Sequence, residues 1–138
     1  AFREPGAEVV RGHLQDSLIS SVNWSEFIQK VQQRGGNPTP LASIVSTLGL
    51  TIVPFETSTA EIAASLYPHT KPFGLSLGDR ACLALAIETK REAFTTDKLW
   101  ARLQLAIKIR VSRYGYGWNL EGGSGCHACA LFVIRSSF

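Results

Sequence analysis

Short strand patterns alternate with amphipathic helix patterns along most of this 138-residue chain, and this alternation constrains the fold more than any other feature. Such alternation indicates βαβ units and a largely parallel sheet. Ligands of such sheets bind beyond the carboxyl ends of the strands. The predicted strands are 18–20, 51–55, 93–95 and 107–111, and the predicted helices are 7–14, 23–34, 41–48, 57–67, 76–90 and 98–103.

The helix predicted at 76–90 is the most distinctive element. It has Ser76 as a candidate N-cap, and it is apolar almost all round from Ala81 to Ile87. A helix that is apolar all round is buried, so we expect it at the centre of the core. Cys82 within it is expected to be a small core residue. Pro54 lacks a backbone donor, so it is expected at the end of its strand or on an edge strand.

Composition sets broad limits on the class of protein. The length fits one domain, with 45% hydrophobic residues to build a core. The net charge of +3 and the pI of about 8.9 are compatible with an anionic partner. They are less basic than those of proteins with a dedicated nucleic-acid-binding surface. No apolar run is long enough to span a bilayer, and residues 1–12 lack the apolar run of a signal peptide. The three cysteines are an odd number, so a reducing, cytoplasmic setting is expected.

Acidic residues recur at the start of helices and the end of strands, within short sequence words. Glu26 and Asp79 are 53 residues apart, and Asp79 and Asp97 are 18 residues apart, so these acids can come together only in the folded chain. Because these positions face the carboxyl rim of a parallel sheet, we expect the carboxylates to converge, and hard divalent cations prefer such oxygen ligands. The residues are Glu26 in SSVNWSEF (20–27), Asp79 in SLGDRACLALA (76–86) and Asp97 in FTTDKLW (94–100).

Each of these acids also has a plainer interpretation as a helix cap. Glu26 follows Asn23 by three residues, which is the spacing of a capping box. Asp79 stands in the same relation to Ser76, where the helix dipole also favours an acid. Asp97 is a possible N-cap of the helix that follows it. The residues alone leave both interpretations open.

Residues 2–111 resemble a PIN domain, and more narrowly a VapC-type toxin ribonuclease of a toxin–antitoxin pair. The resemblance rests on four words in matching order and spacing: FREPG, SVNWSE with Glu26, LSLGDRACLALA with Asp79, and FTTDKLWARL with Asp97. It implies a three-layer α/β/α fold with a mainly parallel sheet. It also implies a cytoplasmic Mg²⁺- or Mn²⁺-dependent endoribonuclease that is inhibited by a cognate antitoxin and forms a homodimer.

The same resemblance implies roles for individual residues. It makes Glu26, Asp79 and Asp97 the metal-site carboxylates and catalytic acids. It adds Thr95 as a hydroxyl residue placed beside the metal site. Arg80, Arg91, Lys98 and Arg102 are expected near the same rim, where they could contact RNA phosphates or simply provide a solvated surface.

The chain also departs from the family pattern. In the family, a first Asp lies on a first, central strand that precedes the FREPG word. We therefore expect the sheet to lack its first strand and the metal cluster to lack one acid, so that this chain is a weak nuclease or none. The alternative function is a catalytically dead PIN-like fragment that only binds RNA or an antitoxin.

A change in composition divides the chain into a PIN-like nuclease domain at 1–113 and a glycine-rich tail at 114–138. Five of the 12 glycines fall in this tail. We expect 114–129 to be irregular and 130–134 to pair with an exposed sheet edge. The CxxC at 126–129 has no second pair of cysteines, so exposed thiols are favoured over a zinc site, which needs about four ligands.

Overall fold

Five short strands and five α-helices are present in the computed structural model, which describes residues 14–95 and 97–111 and the backbone of 133–135. Two 3₁₀ helices, Lys71–Phe73 and Lys98–Arg102, complete the elements. The strands are β1 Ser17–Ser20, β2 Leu50–Val53, β3 Glu92–Thr95, β4 Ile109–Val111 and β5 Val133–Arg135. The helices are α1 Ser21–Gln33, α2 Leu41–Thr47, α3 Thr57–Ser65, α4 Tyr67–Thr70 and α5 Leu77–Thr89.

The strands form one sheet in the order β2-β1-β5-β3-β4. β1 pairs with β2 in parallel, and β3 pairs with β4 in parallel. β5 is antiparallel to both β1 and β3. The first four strands therefore run in one direction, and their carboxyl ends share one edge, which we call the carboxyl rim. Pro54 directly follows the edge strand β2, as predicted.

Helices cover both faces of the sheet, which confirms the predicted PIN-like three-layer α/β/α architecture. Adjacent strand residues point to opposite faces, so Phe94 and Ala93 belong to different cores. One core packs α3 and α5 against the sheet, and the other packs α1 and α2. The buried members of the first are Ala63, Leu66, Cys82, Leu83, Ala84, Leu85, Ala86, Ala93 and Trp100. Those of the second are Leu14, Ile19, Val45, Leu50 and Phe94.

Helix α5 follows its prediction closely. Ser76 is its N-cap, and every residue from Ala81 to Ala86 is buried. Cys82 is a free, buried thiol, and burial raises its pKa, with a further rise from the nearby charge of Asp79. The helix begins at the carboxyl rim and ends at the opposite edge, just before β3. Its first turn is therefore the part that can contribute to a site at the rim.

Helix α1 begins earlier than predicted. Ser20 is the N-cap, in extended conformation at the end of β1, and its hydroxyl accepts a hydrogen bond from the Val22 amide at 3.2 Å. Because β1 continues directly into the helix, Asn23 lies inside the first turn instead of capping it. The interpretation of Glu26 as the capping-box partner of Asn23 is therefore wrong.

The helix predicted at 57–67 is divided in two. α3 ends at Ser65, and α4 begins at Tyr67 with Pro68 in its first turn. Proline has no backbone donor for the preceding turn, so a continuous helix through this position is disfavoured. Tyr67 lies at the surface, where it is 48% exposed. A 3₁₀ turn follows α4 and is ended by Gly74, with φ of 68°.

Strand β5 was expected within 130–134 at a sheet edge, and it is found at Val133–Arg135 in the middle of the sheet. Between β1 and β3 a strand can form hydrogen bonds on both of its sides, whereas an edge offers only one. The FREPG word, residues 7–13 of the helix predicted at 7–14, the segment 114–129 and its CxxC lie outside the described residues. Among the described helices, none is both long and apolar enough to cross a membrane.

Candidate metal centre

Two of the predicted acids, Glu26 and Asp79, meet at the carboxyl rim. Glu26 lies on the second turn of α1, and Asp79 lies in the first turn of α5. The two helices are in contact there, since the Glu26 carboxylate packs against Gly78. A Cβ atom added to Gly78 would overlap this carboxylate, at 2.8 Å from its carbon. The absence of a side chain at Gly78 is what lets the Glu26 carboxylate approach α5.

The charges of the two carboxylates influence each other. Burial raises the pKa of Glu26, the negative charge of Asp79 raises it further, and Lys30 acts in the opposite direction. Glu26 is half-buried and Asp79 is 6% exposed. Two carboxylates in such surroundings repel each other, so a bound cation would stabilise both charged forms.

Asp79 also forms the predicted capping box with Ser76. Its Oδ2 accepts a hydrogen bond from the Ser76 amide at 2.8 Å, and its own amide donates to Ser76 Oγ at 3.2 Å. These bonds fix the orientation of the side chain. An ionised carboxylate has about four lone-pair sites, so capping and metal ligation are compatible for this residue.

Asp97 and Thr95 form a second small unit at the end of β3. Asp97 Oδ1 accepts a hydrogen bond from the Leu99 amide at 2.9 Å, which confirms it as the cap of the following 3₁₀ helix. The Asp97 amide donates to Thr95 Oγ1 at 3.0 Å. Thr95 is fully buried, so its hydroxyl holds the chain where it leaves the strand.

The structure does not assemble all three acids into one group. Within 14–95 and 97–111 there is no set of three or more His, Cys, Asp or Glu side chains placed to hold a metal ion. A physical reason is the position of β5 between β1 and β3. These strands are therefore roughly 9.5 Å apart, which is twice the spacing of neighbouring strands. Glu26 and Asp79 form the candidate centre, and Asp97 follows a strand on the other side of β5 from β1.

Asn23 belongs to this site, although the sequence analysis treated it only as a helix cap. It is 4% exposed, and its Nδ2 donates to the Gly78 carbonyl at 2.8 Å. Its Oδ1 is buried and has no hydrogen-bond partner in the part of the chain that the structure describes. The available signal was spacing, since Asn23 and Glu26 are three residues apart and share one face of α1.

The donor atoms present suit a hard divalent cation. Mg²⁺ is commonly held by one or two carboxylates, with waters and substrate phosphate completing its shell. Mn²⁺ uses the same oxygen ligands. Glu26 and Asp79 supply the two carboxylates, and Asn23, whose amide binds the Gly78 carbonyl, has a third, buried oxygen in its Oδ1. The residues at the rim therefore fit such an ion.

A cationic and aromatic cluster lies next to the acidic pair. Arg80 directly follows Asp79, and its Nη1 donates to the Ala63 carbonyl at 3.1 Å. Its guanidinium carbon lies 5.3 Å from the centre of the Tyr67 ring, and Lys71 Nζ lies 5.8 Å from the same point. Both distances are within the range of cation–π attraction. The exposed Tyr67 ring is thus oriented by two positive charges.

The other basic residues expected near the rim, Lys98, Arg102 and Arg91, lie at two opposite edges of the sheet. Lys98 and Arg102 are exposed on the 3₁₀ helix that follows β3, beside the rim as predicted. Arg91 is instead at the opposite edge, where its Nη1 donates to the Asp16 carbonyl at 2.9 Å, just before the start of β1. Its predicted place at the rim is wrong because α5 runs away from the rim and carries Arg91 with it.

Comparison with known proteins gives one family. Residues 1–105 match the PIN domain family. No match was found among curated proteins, and none among solved structures. PIN domains are nucleases that typically depend on divalent metal ions, and the carboxylate pair at the rim agrees with that chemistry. The match covers about three-quarters of the 138 residues, and the chain therefore belongs to the PIN domain family.

Proposed function

We propose that this chain is a Mg²⁺- or Mn²⁺-dependent endoribonuclease of the VapC toxin type, which hydrolyses RNA phosphodiester bonds at the Glu26–Asp79 pair. The observation that carries the proposal is the packing of the Glu26 carboxylate against Gly78, the residue directly before Asp79, at the carboxyl rim. We also propose Asp97 and Thr95 as members of the catalytic set, with Thr95 acting through the backbone of Asp97, although the described residues do not bring Asp97 into one metal-binding group with the pair.

The chemistry follows from the charges at the rim. A divalent ion at this pair would lower the pKa of a bound water and neutralise charge on the phosphate. Glu26 and Asp79 supply the negative charge that holds such an ion. Lys98 and Arg102 are exposed on the same side of the molecule, where they can attract the RNA backbone.

An RNA substrate is supported by the cluster of Tyr67, Arg80 and Lys71. Exposed aromatic rings stack on unpaired bases, and arginine adds cation–π attraction. Single-stranded RNA is the form whose bases are available for such stacking. Arg80 directly follows Asp79, so the cluster and the acidic pair both use the start of α5.

The proposed partners follow from the family resemblance. We propose a cognate antitoxin that inhibits the enzyme and a second copy of the chain in a homodimer. A cytoplasmic location is proposed because the odd number of cysteines does not imply a disulfide framework. An antitoxin that reaches the rim would meet a negatively charged pair, so a basic segment is the chemistry that would bind there.

A second candidate function is a catalytically dead PIN-like fragment that binds RNA or an antitoxin without cutting. Two observations favour it. The described residues contain no group of three metal-binding side chains, and the central strand β5, with sequence Val133–Ile134–Arg135, contributes no acid. This candidate predicts RNA binding without any metal-dependent cleavage.

Cleavage of a fluorescently labelled single-stranded RNA distinguishes the two candidates. We expect slow cleavage with Mn²⁺ or Mg²⁺, none with EDTA, and loss of cleavage in Asp79→Asn, which keeps the shape but removes the charge. Glu61→Gln is the matched control, because Glu61 is an exposed acid on α3. Cleavage by Asp79→Asn at the wild-type rate would sink the catalytic assignment. RNA binding without cleavage in any metal would support the second candidate.

A further inference from the structure

We infer that Asn23 is a positioning residue of the metal site, and that Asn23 and Gly78 together form a clamp that sets the distance between Glu26 and Asp79. This inference rests on the proposed metal site. It assigns a role to two residues that carry no charge. The clamp is defined by two contacts of α1 on Gly78: the hydrogen bond from Asn23 and the packing of the Glu26 carboxylate.

The orientation of the Asn23 amide is fixed by its partner. The Gly78 carbonyl is only an acceptor, so the group 2.8 Å from it must be the NH₂ of the amide. The reverse orientation would place two oxygen atoms against each other. The Oδ1 atom is therefore the end of the side chain that is left as a buried acceptor.

Gly78 is the second half of the clamp. It lies in the first turn of α5, without the positive φ that would require glycine. Alanine would be favoured at a helical position by about 1 kcal/mol on propensity alone. A Cβ at this position, however, would overlap the Glu26 carboxylate. Gly78 therefore gives up helix propensity and gains the close approach of Glu26 to the turn that carries Asp79.

The two contacts act together because of their spacing. Asn23 and Glu26 are three residues apart on α1, and both contact Gly78, the residue directly before Asp79. The helix is already held by its packing against the sheet through Trp24 and Phe27. The two contacts on Gly78 add to this packing and hold Glu26 close to the turn that carries Asp79. The Glu26–Asp79 distance is thus set before a cation binds.

Stability alone does not account for Asn23. A net hydrogen bond contributes only about 1 kcal/mol, and a buried acceptor without a partner costs as much or more. An apolar side chain of similar size would avoid that cost. A buried Oδ1 on a side chain that binds Gly78, the residue before Asp79, is instead suited to accept a hydrogen bond from water held by a cation. The residue's contribution is therefore expected in metal binding more than in folding.

The test compares Mn²⁺ affinity with thermal stability in the full chain. Asn23→Leu keeps the branched shape, although it is larger, and it removes both the hydrogen bond to Gly78 and the buried acceptor Oδ1. Gln29→Leu is the control, since Gln29 is an exposed amide on the same helix. We expect Asn23→Leu to weaken Mn²⁺ binding in calorimetry by about 10- to 100-fold, the usual effect of removing a supporting contact. Its melting temperature in EDTA should stay close to that of wild type. Gln29→Leu should change neither.

Gly78→Ala tests the clamp from the other helix and remains informative if Asn23→Leu does not fold. It should also weaken Mn²⁺ binding, because its methyl group displaces the Glu26 carboxylate. Wild-type Mn²⁺ affinity in the folded variants would overturn the clamp and leave the proposed metal site intact. A wild-type chain that binds no Mn²⁺, whatever the variants do, would overturn the metal site and the clamp with it.

Discussion

At the scale of single residues, the Glu26 carboxylate is a source of instability in the metal-free protein. Burial and the neighbouring charge of Asp79 both disfavour its ionised form, and Lys30 offsets only part of this. The same repulsion favours a divalent cation, since a cation between two carboxylates converts it into attraction. The carboxylate pair therefore destabilises the metal-free protein and increases its affinity for a metal ion.

The raised pKa of Glu26 predicts how the stability of the metal-free protein depends on pH. Because the pKa of Glu26 is raised on folding, the folded chain binds a proton more readily than the unfolded chain. The contribution of Glu26 to stability is therefore present below the ordinary glutamate pKa and is lost as pH rises through the folded value. Glu26→Gln has no such loss. In EDTA at pH 7 it should be more stable than wild type by roughly 0.5 kcal/mol, a small figure because the group is half-exposed.

Thermal unfolding across pH measures this directly. The advantage of Glu26→Gln should shrink as pH falls below the ordinary glutamate value, and saturating Mn²⁺ should stabilise wild type but not the variant. A Glu26→Gln protein less stable than wild type at pH 7 in EDTA would contradict the coupling of Glu26 to Asp79.

At the scale of elements, the break between α3 and α4 creates the exposed Tyr67 ring beside Arg80 and Lys71. Pro68 both ends the preceding helix and begins the next. The ring is held at the surface by two cations. The break thereby supplies a stacking surface close to the first turn of α5.

Tyr67 is therefore predicted to contribute to RNA binding. Tyr67→Ala should weaken binding of a single-stranded RNA by about 1–3 kcal/mol, the usual value of one base–aromatic stack. Tyr67→Phe should retain most of the affinity because it keeps the ring. Fluorescence anisotropy in EDTA measures the dissociation constant without cleavage. Ile44→Ala is the control, since Ile44 is another exposed apolar side chain, at 46%. Equal RNA affinity of Tyr67→Ala and wild type would show that the Tyr67 ring does not contribute to RNA binding.

Element type was predictable from the sequence where a pattern was long or strongly apolar, as in α5. Boundaries were less predictable where two local signals competed. Asn23 and Glu26 match a capping box, but Ser20 is also a good cap, and only the end of β1 decides between them. For that reason Glu26 and Asp79 were identified from sequence, whereas the positioning role of Asn23 became visible only from its contact with Gly78.

At the scale of the whole molecule, β5 joins two parallel strand pairs into one sheet. Its residue Arg135 pairs with Ser17 and with Glu92, so the contact with β1 spans most of the chain. The apolar run near the end of the chain predicted a strand but not its partners. Pairing partners so distant in sequence leave no local pattern, which is why the central position of β5 could not be predicted.

A proline in β5 tests this arrangement. Ile134 pairs with Leu18 on one side and Ala93 on the other. Ile134→Pro removes a backbone donor from the middle of the sheet and should lower the free energy of unfolding by about 1–3 kcal/mol, the cost of an unsatisfied buried group. Ile134→Val keeps the donor and is the control. Urea unfolding followed by circular dichroism should separate the two variants, and coincident curves would show that β5 adds nothing to the sheet.

A crystal structure of the protein with Mn²⁺, read through the anomalous signal of the metal, tests the metal centre at the rim directly. We expect one strong anomalous peak at the carboxyl rim, within bonding distance of both the Glu26 and Asp79 carboxylates. The same peak should be absent from crystals of Asp79→Asn grown under identical conditions. A peak elsewhere, or none at this pair at saturating Mn²⁺, would contradict the assignment of the rim as a metal centre.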